Sequence, residues 1–212
     1  MLIAQDSVAN PDKSYGLDQK LCNGKKYIYS PPPGTLEHQY LASREFMDGS
    51  VTIHGKTYDE INLNYDIFNQ QLLLKYESDS GGTKILEVSK AWLTAFRIGT
   101  RNFEYLNLED NPRFFQVLGE GPVRILYFWR KNLGLDVTIE NSRYIFGSAV
   151  RESYVLLNGR LETFSTRRSL ISLFDRKLRP EIKSYMRKNK IRMRRSSDQE
   201  MAKMITYIGT LK

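Results

Sequence analysis

Residues 49–76 read GSVTIHGKTYDEINLNYDIFNQQLLLKY, and this stretch decides the fold class. Ile61, Leu63 and Tyr65 alternate with Glu60, Asn62 and Asn64, so a strand here turns one apolar face inward and one polar face to water. His54-Gly55 interrupts the run on one side and Asp66 to Gln71 on the other, which predicts three strands joined by tight turns. That is an antiparallel meander. The pattern supplies no reacting group.

The same rhythm extends in both directions. Tyr27 and Tyr29 alternate in a first strand over Lys25 to Ser30, ended by Pro31-Pro32-Pro33-Gly34, because proline has no donor for a ladder. The triproline reads as a stiff loop; as a docking motif for a proline-reading groove it lacks a second anchor. Further strands are predicted over Lys84–Val88, Ala91–Ile98, Arg101–Leu108, Pro112–Leu118, Pro122–Arg130, Leu135–Ile145, Glu152–Leu157 and Arg160–Phe164. Turns are read at Ser78 to Thr83, Gly99-Thr100, Gly119-Glu120-Gly121, Asn132 to Gly134, Gly147-Ser148 and Asn158-Gly159. The Asn-Gly pair is the sharpest, since a type I′ turn needs two residues that tolerate positive φ.

The period changes after Ser165. Ser169 to Phe174 opens a short helix, and Pro180-Glu181 starts a second with the buried stripe Ile182, Tyr185, Met186 and Asn189. Ser197 to Glu200 is a capping box before a third helix, whose apolar face is Met201, Met204, Ile205 and Ile208. Strands first and helices last predict an α+β fold: a long curved antiparallel β-meander (half-barrel, barrel or sandwich) followed by a C-terminal helical cap. The expected organisation is a signal remnant and loose lead-in over 1–20, an antiparallel β domain over 21–165, and a basic helical segment over 166–212 packed on it.

At 212 residues, 41% of them hydrophobic, the chain is long enough to bury a sizeable core. No apolar run approaches the length that crosses a bilayer. Leu2-Ile3-Ala4-Gln5-Asp6-Ser7 reads as the tail of a secretory signal, with an apolar stub, a small residue at the cut near Gln5 and a polar mature start; the alternative is a native cytoplasmic start. A single cysteine, Cys22, excludes an internal disulfide. It reads as a strand residue, because a catalytic thiol needs a basic partner and a lipidation site needs an apolar segment before it.

Charge is unevenly placed. The chain carries a net +8, yet Arg160 to Lys212 holds 15 Lys and Arg against 5 Asp and Glu, so the remainder is slightly acidic. Within it Arg187, Lys188, Lys190, Arg192, Arg194 and Arg195 are interleaved with Ile191 and Met193 in the turn between two helices. Such a cluster could grip an anionic lipid, a polysaccharide or a nucleic acid. Its plain reading is a solvated connector with cations at a helix C-terminus. Export counts against nucleic acid.

Other chemistry is thin. His38 and His54 lack further ligands at zinc spacing, so no metal and no cofactor are expected. No phosphate-cradling loop, nucleophile elbow or dinucleotide fingerprint occurs. Asp59-Glu60, Asp66 and Glu109-Asp110 could supply a glycosidase-type carboxylate pair, but acidic residues in turns commonly bond their own backbone instead.

Phe46, Gly49-Ser50-Val51, Gly55, Tyr58, Leu63, Tyr65-Asp66 and Leu72-Leu73-Leu74, then Phe115, Val117-Leu118, Gly121-Pro122-Val123, Leu126, Tyr154, Ser169-Leu170, Ile182, Tyr185 and Asn189-Lys190 resemble an uncharacterised exported family of Bacteroidetes bacteria. The resemblance spans most of residues 21 to 208, departs at Cys22 where an aromatic is expected, and implies export through the inner membrane without any activity or catalytic residue to carry over. The resulting expectation is a non-enzymatic exported accessory or protein-interaction subunit of the cell envelope, periplasmic or associated with the outer membrane, with an envelope protein complex as partner. One alternative is a carrier of an apolar or anionic ligand such as a lipid, lipopolysaccharide or glycan. Another is a hydrolase using turn carboxylates.

Overall fold

Two successive residues with positive φ close each of the tightest hairpins, His54-Gly55 (51° and 76°) and Asn158-Gly159 (52° and 77°), the signature of turns that match strand twist. The computed structural model describes residues 21, 24–78, 81–108, 110–137, 142–193 and 195–211. The stub at Leu2 to Ser7, Cys22, Glu109 and Arg194 lie outside the described residues, as do positions 138–141 of the strand expected over 135–145. Strands are β1 (Lys25–Lys26), β2 (Met47–Ile53), β3 (Lys56–Asp66), β4 (Gln71–Glu77), β5 (Thr83–Glu87), β6 (Leu93–Ile98) and β7 (Arg101–Leu108). They continue as β8 (Asn111–Leu118), β9 (Val123–Arg130), β10 (Leu133–Asp136), β11 (Arg143–Phe146), β12 (Val150–Leu157) and β13 (Arg160–Thr163). Helices α1 (Arg167–Ser172), α2 (Arg179–Lys188) and α3 (Asp198–Thr210) follow. The antiparallel meander and its C-terminal helices are thus present.

The chain divides into two compact units, Met1–Thr100 with Lys131–Ser148, and Arg101–Arg130 with Ala149–Lys212. In the first, the strands run in the order β1-β5-β4-β3-β2-β6, antiparallel throughout and not returning to the first strand. Ile61, Leu63 and Tyr65 of β3 are buried as the alternation requires. The expected wet face holds at Glu60, which is exposed, and at half-buried Asn62, but its far end is covered: Asn64 is buried, as is Asp66 beyond it. The segment before β2 covers that face, with the Leu41 amide donating to the Tyr65 carbonyl at 2.9 Å and the Ile67 amide to the Gln39 carbonyl at 3.2 Å. Burial is tolerable because the polar groups are paired. Asn64 Nδ2 donates to the carbonyls of Ser43 (3.1 Å) and Glu45 (3.2 Å).

Three more expectations in this unit are corrected. The first strand shrinks to two residues, after which the Tyr27 hydroxyl turns inward onto Asp66 at 2.7 Å. No single strand fills 135–145: β10 and β11 pair as a separate two-stranded ribbon with Leu135 opposite Tyr144 and Asp136 opposite Arg143. Leu133 and Gly134, expected in a turn, belong to that ribbon, whose base is closed by the Gly147 amide donating to the Asn132 carbonyl at 2.9 Å.

In the second unit the order is β7-β8-β9-β12-β13, again antiparallel and open. Leu118, Val123, Ile125, Tyr127, Val155 and Phe164 present its inner face to the helices. Helix α1 begins two residues earlier than expected, because Thr166 caps it reciprocally with Ser169. Pro180 lies in the first turn of α2, and Ser197 with Glu200 forms the capping box of α3 as the sequence predicts. Met201, Met204, Ile205 and Ile208 are all buried. Asn189 is not part of the buried stripe of α2; it is the exposed C-cap, its side chain donating to the Tyr185 carbonyl at 3.0 Å. Gly119 sits at φ +84° in the β8–β9 turn, where a Cβ would run into Cγ2 of Ile205. Helix α3 therefore rests directly on that turn, and the Glu120 amide donates to Thr206 Oγ1 at 3.2 Å.

Candidate functional site

The basic cluster occupies a folded connector. Arg187 and Lys188 close α2, where cations meet the negative end of the helix dipole. Lys190 takes φ +54°, Ile191 inserts into the core with its amide on the Met186 carbonyl (2.9 Å), and the chain then coils on itself. Amides of Arg195 and Ser196 donate to the Arg192 carbonyl at 2.9 and 2.8 Å, while the Arg192 amide donates to Ser196 Oγ at 2.9 Å. Arg187, Lys188, Lys190, Arg192 and Arg195 are all exposed, and no ion pair engages them among the described residues. The connector is ordered by its backbone, not by its charges.

Met193, midway along it, forms part of the wall of a cavity of about 580 Å3. Tyr127 on β9, Arg151, Ser153 and Tyr154 on β12, Thr163 on β13, and Phe164 and Ser165 just after it also line the cavity. The Arg151 guanidinium lies 4.0 Å from the ring centre of Tyr127 and 5.7 Å from that of Trp129, a cation–π arrangement that holds it over the rings. Burial pushes the Tyr127 hydroxyl up to about 12, so it stays protonated. Asp198, in the first turn of α3, places Oδ1 3.8 Å from Arg151. Its Oδ2 accepts from Gln116 Nε2 at 2.7 Å, and Gln116 Oε1 accepts from Trp129 Nε1 at 2.8 Å. Glu152 also lines the cavity but accepts from Arg130 Nε at 2.7 Å and from the Tyr154 hydroxyl at 2.8 Å. The Arg130 hydrogen bond holds the Glu152 carboxyl below its ordinary value.

The remaining candidates do not assemble into a reaction site. His54 is exposed and stacks on Trp92 with ring centres 4.5 Å apart. His38 accepts the Tyr40 amide on Nδ1 at 3.2 Å, and buried Lys131 donates to its carbonyl at 2.6 Å; burial, then the Lys131 and Arg44 charges, pushes the imidazole down. Among the described residues no group of three His, Cys, Asp or Glu could hold a metal ion. Asp59, Glu60 and Asp110 are exposed. Asp66 accepts from the Phe68 and Asn69 amides at 3.0 and 2.8 Å, from Asn69 Nδ2 at 2.8 Å and from Tyr27, so it staples the β3–β4 turn.

In the first unit the β10–β11 ribbon is unusual. Phe146 at its root is 2% exposed and packs edge-on against Phe68 at 5.3 Å. The same apolar face continues outward through Leu135 and Tyr144 to Val137, which is 71% exposed. Leu36, delivered by the triproline loop, fixes the ribbon: its amide donates to the Tyr144 carbonyl at 2.8 Å and its carbonyl accepts from the Phe146 amide at 3.1 Å.

Sequence reading singled out the basic cluster and missed Arg151, Tyr127 and the ribbon face. Alternation around Arg151 was the only local signal, and it looks like any exposed strand residue. Comparison of the chain with protein-family models, with curated proteins and with solved structures found no match.

Proposed function

We propose that the protein is a non-enzymatic, exported accessory or interaction subunit of the bacterial cell envelope, and that the β10–β11 ribbon makes its protein contact. The observation that carries this reading is the ribbon's apolar face, anchored in the core at Phe146 and exposed at Leu135, Tyr144 and Val137. Contiguous exposed apolar side chains on an ordered element are the usual mark of a protein contact. A photo-crosslinking residue at position 144 should yield one dominant protein adduct in envelope fractions, abolished by Leu135→Asp. Random labelling, or an adduct indifferent to Leu135→Asp, would refute the contact, and an uncleaved, cytoplasmic native chain would refute export.

A second reading, binding of an anionic ligand, is favoured by the cavity beside the basic connector. The cavity wall is mixed and hydroxyl-bearing, not the apolar barrel interior that a lipid carrier would need.

A further inference from the structure

We propose that Arg151 anchors an oxyanion site in the cavity of the second unit, taking the carboxylate or phosphate of a sugar-sized ligand. This rests on the second, anionic-ligand reading above and adds to it a residue and a ligand class.

An arginine held over aromatic rings can still spend its N–H donors on a nearby carboxylate. Here that pairing is incomplete. Asp198 Oδ1 lies 3.8 Å away, beyond hydrogen-bond reach, because Gln116 and the first turn of α3 hold the carboxylate in place. Among the described residues the Arg151 side chain makes no hydrogen bond. The guanidinium lies over the Tyr127 ring, its charge is shared with Asp198 only at ion-pair distance, its N–H groups have no hydrogen bond among the described residues, and the side chain is 30% exposed within the cavity wall. A planar fork of donors already held in place over the rings matches a carboxylate or phosphate in bidentate geometry and loses little entropy on binding.

The surroundings suit the same ligand. Hydroxyls of Ser153, Thr163 and Ser165 line the cavity and make no hydrogen bond among the described residues, so they are available to ligand hydroxyls. Ser169 is not, being engaged in the α1 cap. The carboxylate that lines the cavity, Glu152, is paired with Arg130. Exposed Arg192 and Arg195 flank Met193 and add a positive field that draws anions toward the opening. A volume of about 580 Å3 holds one or two sugar rings.

The test is titration of the full chain with inorganic phosphate, glucuronate, neutral glucose, and vesicles of pure phosphatidylcholine or of phosphatidylcholine with phosphatidylglycerol. Saturable binding of glucuronate or phosphate, with glucose inert, is expected. Arg151→Gln should weaken it about 10- to 100-fold, the worth of a charged hydrogen-bond pair, and Arg151→Lys, which keeps charge but not the fork, should fall between. Should Arg151→Gln unfold, Arg151→Lys and Ser153→Val decide. The paired change Arg192→Glu and Arg195→Glu should reduce the salt dependence and leave most of the affinity. Unchanged binding in both Arg151 variants, or no saturable binding of either small anion, overturns the proposal. Binding of phosphatidylglycerol vesicles alone, lost on reversing the connector and indifferent to Arg151, overturns it while leaving the broader anion-binding reading standing.

Discussion

Gly119 offers the sharpest test of how α3 is seated. Replacing it with alanine imposes two separate costs. The residue sits at φ +84°, and forcing an L-residue into left-handed backbone costs about 1–2 kcal/mol. The new Cβ also collides with Cγ2 of Ile205, a side chain fully buried beneath the helix, and overpacking a core contact costs about 1–3 kcal/mol. The expected loss for Gly119→Ala is therefore about 2–5 kcal/mol. The two parts can be separated. Ile205→Leu conserves volume but removes Cγ2, and alone should cost less than about 1.5 kcal/mol. In the double variant the collision disappears and only the backbone strain remains, giving a coupling energy of about 1–3 kcal/mol. Urea unfolding followed by fluorescence of Trp129 reads the second unit directly if Trp92, the other tryptophan, is first changed to Phe. A Gly119→Ala variant within about 0.5 kcal/mol of its parent would refute the close seating of α3. A coupling energy near zero would refute the assignment of the clash to Ile205.

Other expectations follow from the same contacts. Asp66→Ala removes four hydrogen bonds from a fully buried carboxylate at the start of a half-buried turn and should cost about 2–5 kcal/mol by urea unfolding, with the first unit affected. His38 has its folded value pushed below the ordinary 6.5, so the unfolded chain binds the extra proton more readily; stability is full above that value and declines as pH falls below it, and His38→Gln should flatten that slope. Glu152 behaves likewise in acid: its folded value is depressed, so its contribution is present above the ordinary carboxylate range and lost as pH falls through it, a loss that Glu152→Gln should remove. Reversing exposed Arg187, Arg192 and Arg195 to Glu should barely change thermal stability, since exposed charges contribute little, whereas Ile208→Asp should unfold the helical layer by burying an unpaired charge.

Much of the fold was legible in the sequence, because it rests on contacts a few residues apart. Asn158-Gly159 announces its own turn, Ser197 and Glu200 announce the start of α3, and the spacing of Met201, Met204, Ile205 and Ile208 shows which side of that helix is buried. Each needs only backbone sterics and a repeat period. The burial of Asn64 and Asp66 on β3 was not legible, since it is made by residues 39–45, a segment with no strand pattern that crosses the end of that strand. Nor was the split of residues 133–146 into a ribbon, which depends on Leu36 pairing with β11 across a long stretch of chain. The basic cluster was visible as charge and its solvation as exposure, but the cavity beside it was not. Tyr127, Arg151, Thr163 and Met193 come from separate elements and share a wall only after the sheet has paired and the helices have packed. Sequence by itself determined which local structures this chain forms; the tertiary structure decided which faces were covered and which side chains came to share the cavity wall, because both depend on residues far apart in the chain.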